Sequence, residues 1–273
     1  MADVYVDRIV CNCNQVRYSD IMKALHDGKN LEDVQEEFKR IQEMTKASTG
    51  CGGCYHKVLD IISQEIPQAE VAVISGPSHA EEVSRHIPTT VVAGASKKEA
   101  AHFVQDMFMN KYFRVYSSPD VLGIELGGAL KNVIALAAGT IDGLGYGDNT
   151  KAALITRGIA EIARLGEAMG AKYETFAGLS GIGDLIVTCT SNHSRNHNAG
   201  YLLGKGKTLE EAKAEVGQVV EGVNSAQAAL ALARKYDVEM PIVEQVNAVL
   251  FEGKEAKEAL KDLLVREKVT EYS

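Results

Sequence analysis

The sequence predicts a mainly α-helical protein with a small α/β part, and three observations carry that prediction. Two cysteine pairs, Cys11-x-Cys13 and Cys51-x-x-Cys54, stand in the first fifth of the chain among short helical stretches. After Glu70 the pattern becomes short apolar and β-branched runs alternating with helical spacing, a β-α-β-α-β order. From Pro119 onward almost every stretch repeats apolar residues at helical spacing, with glycine-rich joints between. The chain thus reads as three parts: a cysteine module over 1–66, an α/β segment over 67–118, and an all-helical domain over 119–273.

In the first part, Ser19 is placed to cap a helix over 20–26 that Gly28 stops, and Asn30 to cap a second helix over 31–46. A third helix, 52–65, starts at the second cysteine pair, aligns Val58, Leu59, Ile61 and Ile62 on one face, and is closed by Pro67. Thiolates two and three residues apart can converge on one metal centre. Gly50, Gly52 and Gly53 let the backbone fold over such a centre and turn N–H groups toward it. Four thiolates suit either a [2Fe–2S] cluster or zinc. His56 reads as a neighbour of that centre, since four cysteines already complete it.

The α/β part carries strands at 71–74, 89–93 and 112–116, with Gly76-Pro77 turning the chain after the first. Ser78-x-x-Glu81 and Ser96-x-x-Glu99 read as capping boxes that open helices reaching 86 and 109. The strands look like part of a larger parallel sheet. Without further strands beside them, an edge and an apolar face would stay unpaired.

Beyond them, helices are expected over 124–138, 152–169, 209–216, 225–235, 242–251 and 256–264, the third opened by a capping box at Thr208-x-x-Glu211. Several are apolar nearly all round and should bury one another. Lys131 interrupts one of them. It either snorkels to an edge or sits in a polar pocket, where a lysine can serve as acid or base. Gly127 and Gly128 would let another backbone approach it. Gly181-Ile-Gly-Asp184, followed by Thr188 through Asn196, packs hydroxyls, Arg195 and amides densely enough to wrap a phosphate; a polar loop with an N-cap is the alternative. Gly143-x-Gly145-x-Gly147 is not a dinucleotide fingerprint, because its spacing is wrong and it follows a helix. No G-x-G-x-x-G occurs in the chain.

Residues 7–62 resemble the bacterioferritin-associated-ferredoxin-like [2Fe–2S] domain, with a longer gap between the cysteine pairs than the family's commonest form. That resemblance implies Cys11, Cys13, Cys51 and Cys54 as cluster ligands. From about residue 62 onward the chain resembles bacterial-type NAD(P)-dependent sn-glycerol-3-phosphate dehydrogenase. The motifs are SGPSHAEEV from Ser75, FRVY from Phe113, GIELGGALKNVIALAAG from Gly123, GDNTKAALITRG from Gly147, GLSGIGDLIVTCTSNHSRN from Gly178 and GQVVEGV from Gly217. The resemblance implies Lys131 as acid/base at the carbinol oxygen and Asp184 as its assistant in positioning substrate. It implies that Gly76, Ser78, Ser194, Arg195 and Asn196, with Lys131 and Asp184, contact glycerol 3-phosphate or dihydroxyacetone phosphate. Ala80, Arg195, Val219 and Glu221 would touch NAD or NADP.

The Rossmann half expected ahead of SGPS is not found, and the cysteine module stands in its place. The α/β part therefore reads as a truncated Rossmann-like piece, and turnover would need a dinucleotide site rebuilt from other parts. The alternative reading is an iron–sulfur electron-transfer or metal-binding module joined to an inactive dehydrogenase-derived scaffold.

The chain has 273 residues, 45% hydrophobic and 24% charged, with a net charge of −8. That balance argues against nucleic acid or an anionic membrane as partner, and leaves a small phosphorylated substrate to be held by a few local cations. No charged-then-apolar leader and no apolar run of membrane-spanning length is read. With reduced cysteines this points to the cytoplasm. The dehydrogenase resemblance also implies a homodimer. Cys189 reads as a buried thiol, His193 and His197 as solvated loop histidines beside Arg195, with assistance to phosphate binding as the alternative, and 252–261 as mostly a solvated helix face.

Overall fold

The computed structural model describes residues 9–11, 15–26, 70–268 and 270–271. The chain divides into two compact units, Met1–Val71 and Ala72–Ser273. In the first, β1 (Ile9–Cys11) pairs antiparallel with β2 (Val16–Arg17), setting Cys11 opposite Val16. Helix α1 (Tyr18–His26) follows directly. The Asp20 carboxylate accepts the Arg17 N–H at 2.9 Å. An acidic side chain inside the first turn thus closes the helix start, and because the helix begins at Tyr18 the expected cap Ser19 lies within that turn. Val10, Val16, Ile21 and Ala24 are buried. The helices expected over 31–46 and 52–65, with their boundary residues, lie outside the described residues.

The second unit opens with β3 (Ala72–Ser75), α2 (Ala80–Val83), β4 (Thr89–Ala95), α3 (Lys98–Phe108) and β5 (Phe113–Ser118). The strands lie in the order β3-β4-β5. β4 and β5 run parallel, as a crossover through α3 requires, but β3 and β4 run antiparallel. This corrects the expected all-parallel arrangement. The four-residue α2 is too short to carry the chain back along the sheet, so the chain reverses instead. Neither expected capping box closes here. The N-caps are His79 and Lys97, one residue past the serines, and neither makes a side-chain cap. The Ser78 hydroxyl donates instead to the Gly76 carbonyl at 3.0 Å. Val91, Ala93, Val104 and Val115 form a small core between strands and α3. Apolar surface remains at Ile74, Phe103 and Met107, which are 39%, 61% and 50% exposed.

The rest is helical. Its spine is α4 (Val121–Leu144), whose N-cap Asp120 accepts from Gly123 N–H, Lys172 N–H and the Thr175 hydroxyl at 3.1, 2.9 and 2.5 Å. Then come α5 (Asp148–Met169), α6 (Tyr173–Phe176), a wide turn at Leu179–Gly183, α7 (Asp184–Thr190) and α8 (Arg195–Gly204). α9 (Leu209–Val216), α10 (Glu221–Tyr236), α11 (Pro241–Phe251) and α12 (Ala256–Leu264) complete it. The capping box at Thr208 and Glu211 is present as read. Ile134, Leu136, Leu165, Leu185 and Met240 are fully buried among these helices.

By length and composition α4 could cross a membrane, which corrects the reading that no run reaches that length; 56% of its apolar window is buried inside the protein. Its closest partner is α8. Gly139 and Gly143 on α4 face Gly200 and Gly204 on α8, and a β-carbon on any of the four would meet main-chain atoms at 1.9–2.3 Å. Only backbone against backbone fits there.

Candidate active site

Lys131 reaches its position because two glycines remove side chains from the crossing. A β-carbon at Gly127 would stand 2.4 Å from the Ser180 carbonyl oxygen, so α4 lies against the turn that precedes α7. Within that turn Gly181 departs from helical geometry (φ −97°, ψ −106°), and a β-carbon there would strike the Phe176 carbonyl at 2.1 Å. Asp184, the first residue of α7, is thereby delivered to Lys131. The Lys131 Nζ to Asp184 Oδ1 distance is 2.6 Å, with the side chains 20% and 6% exposed. The lysine is held in an ion pair and does not snorkel. Burial pushes the Asp184 carboxyl above its ordinary range, against the opposing pull of Lys131, the Thr188 hydroxyl and His79. Thr188 Oγ1 lies 2.6 Å from the Asp184 main-chain oxygen and 3.4 Å from Oδ1.

The second group gathers at the start of α8. Ser194 is its N-cap, accepting the His197 N–H at 3.2 Å, which leaves its own O–H a hydrogen to donate. Arg195 Nη2 sits 2.6 Å from Glu221 Oε1. Asn196 is buried, and its amide is engaged on both sides. It donates to Asn132 Oδ1 at 2.9 Å and Glu221 Oε2 at 3.4 Å, and accepts from Gly222 N–H at 2.8 Å. Asn132 follows Lys131 on α4, so one helix ties the ion pair to the Arg195 turn. Sequence reading missed Asn132 and Gly222; their adjacency to Lys131 and Glu221 was the available signal.

Gly76 takes φ +142°, a conformation that side chains rarely adopt, and a β-carbon there would stand 3.0 Å from the Val91 Cα. The same turn brings Ser75 against Gly128 and Pro77 against Gly183, so the Gly76–Ser78 segment abuts both helices of the ion pair. Ser78, Ala80 and Arg195 line one open cleft of about 860 Å³, with His79, Glu81 and His193 on the same wall. Val219 is 45% exposed. Glu221 joins this wall through its bond to Arg195.

His197 overturns the expectation of a solvated loop residue. It lies in α8, buried, with Nε2 2.8 Å from Asp142 Oδ2, because the 188–196 stretch is two helix ends and a short joint and not one long loop. His193 is exposed as read. Cys189 is fully buried, and that burial pushes its thiol up to about 12. For the expected metal centre, Cys13, Cys51, Cys54 and the Cys11 side chain lie outside the described residues. Among the described residues no group of three His, Cys, Asp or Glu could hold a metal ion.

The chain belongs to the NAD-dependent glycerol-3-phosphate dehydrogenase family, whose C-terminal model matches residues 120–261. Residues 9–64 match a BFD-like [2Fe-2S] binding domain. Among curated proteins, glycerol-3-phosphate dehydrogenase [NAD(P)+] of Agathobacter rectalis is 67% identical over 216 residues, covering 79% of this chain and 64% of its own. The enzyme of that name from Fusobacterium nucleatum is 64% identical over 246 residues, 89% of this chain and 73% of its own. Among solved structures, glycerol-3-phosphate dehydrogenase from Coxiella burnetii superposes with a TM-score of 0.73 at 41% identity, over 77% of this chain and 64% of that one. The chain thus spans just under two thirds of the Agathobacter and Coxiella proteins.

Proposed function

We propose that the helical unit interconverts dihydroxyacetone phosphate and sn-glycerol 3-phosphate with NAD or NADP. The observation that carries this reading is the Lys131–Asp184 ion pair, 2.6 Å long and largely shielded, tied through Asn132 to the Arg195 turn. A ketone being reduced needs a proton at its oxygen while the carbon receives a hydride. Lys131 Nζ is the donor, and in the reverse direction it takes the proton back from the alcohol. Asp184 holds the ammonium in line, and Thr188 steadies Asp184. Arg195, with the Ser194 hydroxyl, supplies charge and hydrogen bonds for the phosphate, and the Ser78 hydroxyl would join them by turning away from the Gly76 carbonyl. A bound nicotinamide dinucleotide would supply the hydride. Ala80 and Arg195, with the adjacent Val219 and Glu221, would hold it. The open cleft and the absence of a side chain at Gly76 are consistent with a ligand lying there.

Titration calorimetry with NADH and NADPH, with and without dihydroxyacetone phosphate, tests this. Cofactor binding that tightens with substrate, together with nicotinamide oxidation on mixing, is the expected result. Failure of both cofactors to bind would overturn it.

A second activity is favoured by the match of residues 9–64 and the four-cysteine donor set. In this reading Cys11, Cys13, Cys51 and Cys54 hold a [2Fe–2S] cluster. Visible charge-transfer absorption from anaerobically purified protein is expected; a colourless protein carrying one zinc would replace the cluster reading with a structural metal.

A further inference from the structure

His197 takes no part in the proposed reaction. It sits in the first turn of α8, directly after Asn196, and three attachments converge on it. Its N–H is bonded to the Ser194 cap at 3.2 Å. Its carbonyl lies against Gly139 of α4, where a β-carbon would come within 1.9 Å. Its ring Nε2 meets Asp142 Oδ2 at 2.8 Å, and the same oxygen receives Lys151 Nζ of α5 at 2.7 Å. Burial works to raise the Asp142 carboxyl, but the hydrogen bonds and charges of Lys151 and His197 outweigh it and leave it below its ordinary value. A carboxylate only accepts, so Nε2 carries the hydrogen of this bond. The opposite nitrogen, Nδ1, is buried with no hydrogen-bond partner among the described residues. An apolar ring would fill the same space without stranding a nitrogen, so packing alone does not explain histidine here. The bond to Asp142 does.

We propose that His197, Asp142 and Lys151 form a tether that positions the phosphate-binding turn Ser194–Asn196, with His197 as a positioning residue for the sugar phosphate. The tether joins α8 to α4 and α5, so the turn is referenced to the helix that carries Lys131. Acid and phosphate clamp are then held on one rigid frame. This proposal rests on the dehydrogenase reading of the site.

The test uses the full chain with His197→Ala and His197→Gln, the latter restoring an N–H near the place of Nε2. Calorimetry should show glycerol 3-phosphate affinity about tenfold weaker in H197A and largely recovered in H197Q. Wild-type affinity in H197A, or no recovery in H197Q, would overturn the tether. Should H197A not fold, Lys151→Met takes its place: weakened affinity supports the tether and unchanged affinity refutes it. If the wild-type chain binds no sugar phosphate, the dehydrogenase reading fails by itself. Hydrogen exchange then decides the tether. Amides of residues 195–198 exchanging faster in H197A than in wild type or H197Q support it, and equal rates refute it.

Discussion

Gly139 of α4 and His197 of α8 stand so close that a β-carbon on the glycine would lie 1.9 Å from the histidine carbonyl oxygen. Across the same seam, a β-carbon on Gly200 would lie 2.0 Å from the Leu136 carbonyl. Neither obstacle is a side chain that can swing away. Gly139→Ala should therefore destabilise the protein by at least the ~1–3 kcal/mol typical of an overpacked core. Gly147→Ala, where nothing lies within 4 Å of the new carbon, should change little. Urea denaturation of the two variants checks the contrast.

Lys131→Met should remove the proposed proton donor while leaving the helix intact. Reduction of dihydroxyacetone phosphate is expected to slow by about 10²–10⁴-fold, with an unchanged circular dichroism spectrum. Asp184→Asn should cost less, since an amide can still accept from the ammonium. Steady-state rates for the two variants give the order directly.

Arg195→Met takes away the cation at the start of α8 and leaves the Glu221 carboxylate only the longer bond from the Asn196 amide, at 3.4 Å. Charge-assisted hydrogen bonds of this kind are worth about 1.5–3 kcal/mol, so glycerol 3-phosphate should bind about ten- to a hundredfold more weakly. Calorimetry measures that loss. An Arg195 variant with native affinity would place the phosphate elsewhere.

Glu161 lies far along α5 and caps α11, accepting Ile242 N–H at 2.9 and 3.1 Å and Val243 N–H at 3.4 Å. Burial nevertheless raises its carboxyl from 4.5 to about 7. Between those values the folded chain keeps a proton that the unfolded chain releases. The contribution is fully present below pH 4.5 and is lost as pH rises through 7, to a total of roughly 3 kcal/mol. Glu161→Gln cannot ionise and should flatten the fall in melting temperature across that window. Melting curves from pH 4.5 to 7.5 for both proteins check the sign.

Features that depend on neighbours along the chain were legible in the residues. The capping box of Thr208 and Glu211 needs only one helical turn, and both ends of α9 and α12 follow from local spacing. The same reasoning failed at Ser78 and Ser96, because the residue after each serine takes the N-cap position and shifts the frame by one. The antiparallel entry of β3 was equally hidden. It is set by how far α2 can carry the chain, which strand composition does not encode.

Residue types alone singled out Lys131 and the hydroxyl- and arginine-rich stretch after Asp184, and long motifs named the family. The residues by themselves left Lys131 between a snorkelling and a chemical role, and placed His197 in solvent. Tertiary structure decided both, by bringing Asp184 onto Lys131 across Gly127 and by setting His197 against Asp142, 55 residues away. Caps and helical periodicity arise from bonds within a few residues, so a chain states them directly. A buried ion pair exists only where distant helices meet, and which helices can meet is settled by whether glycine lets their backbones touch.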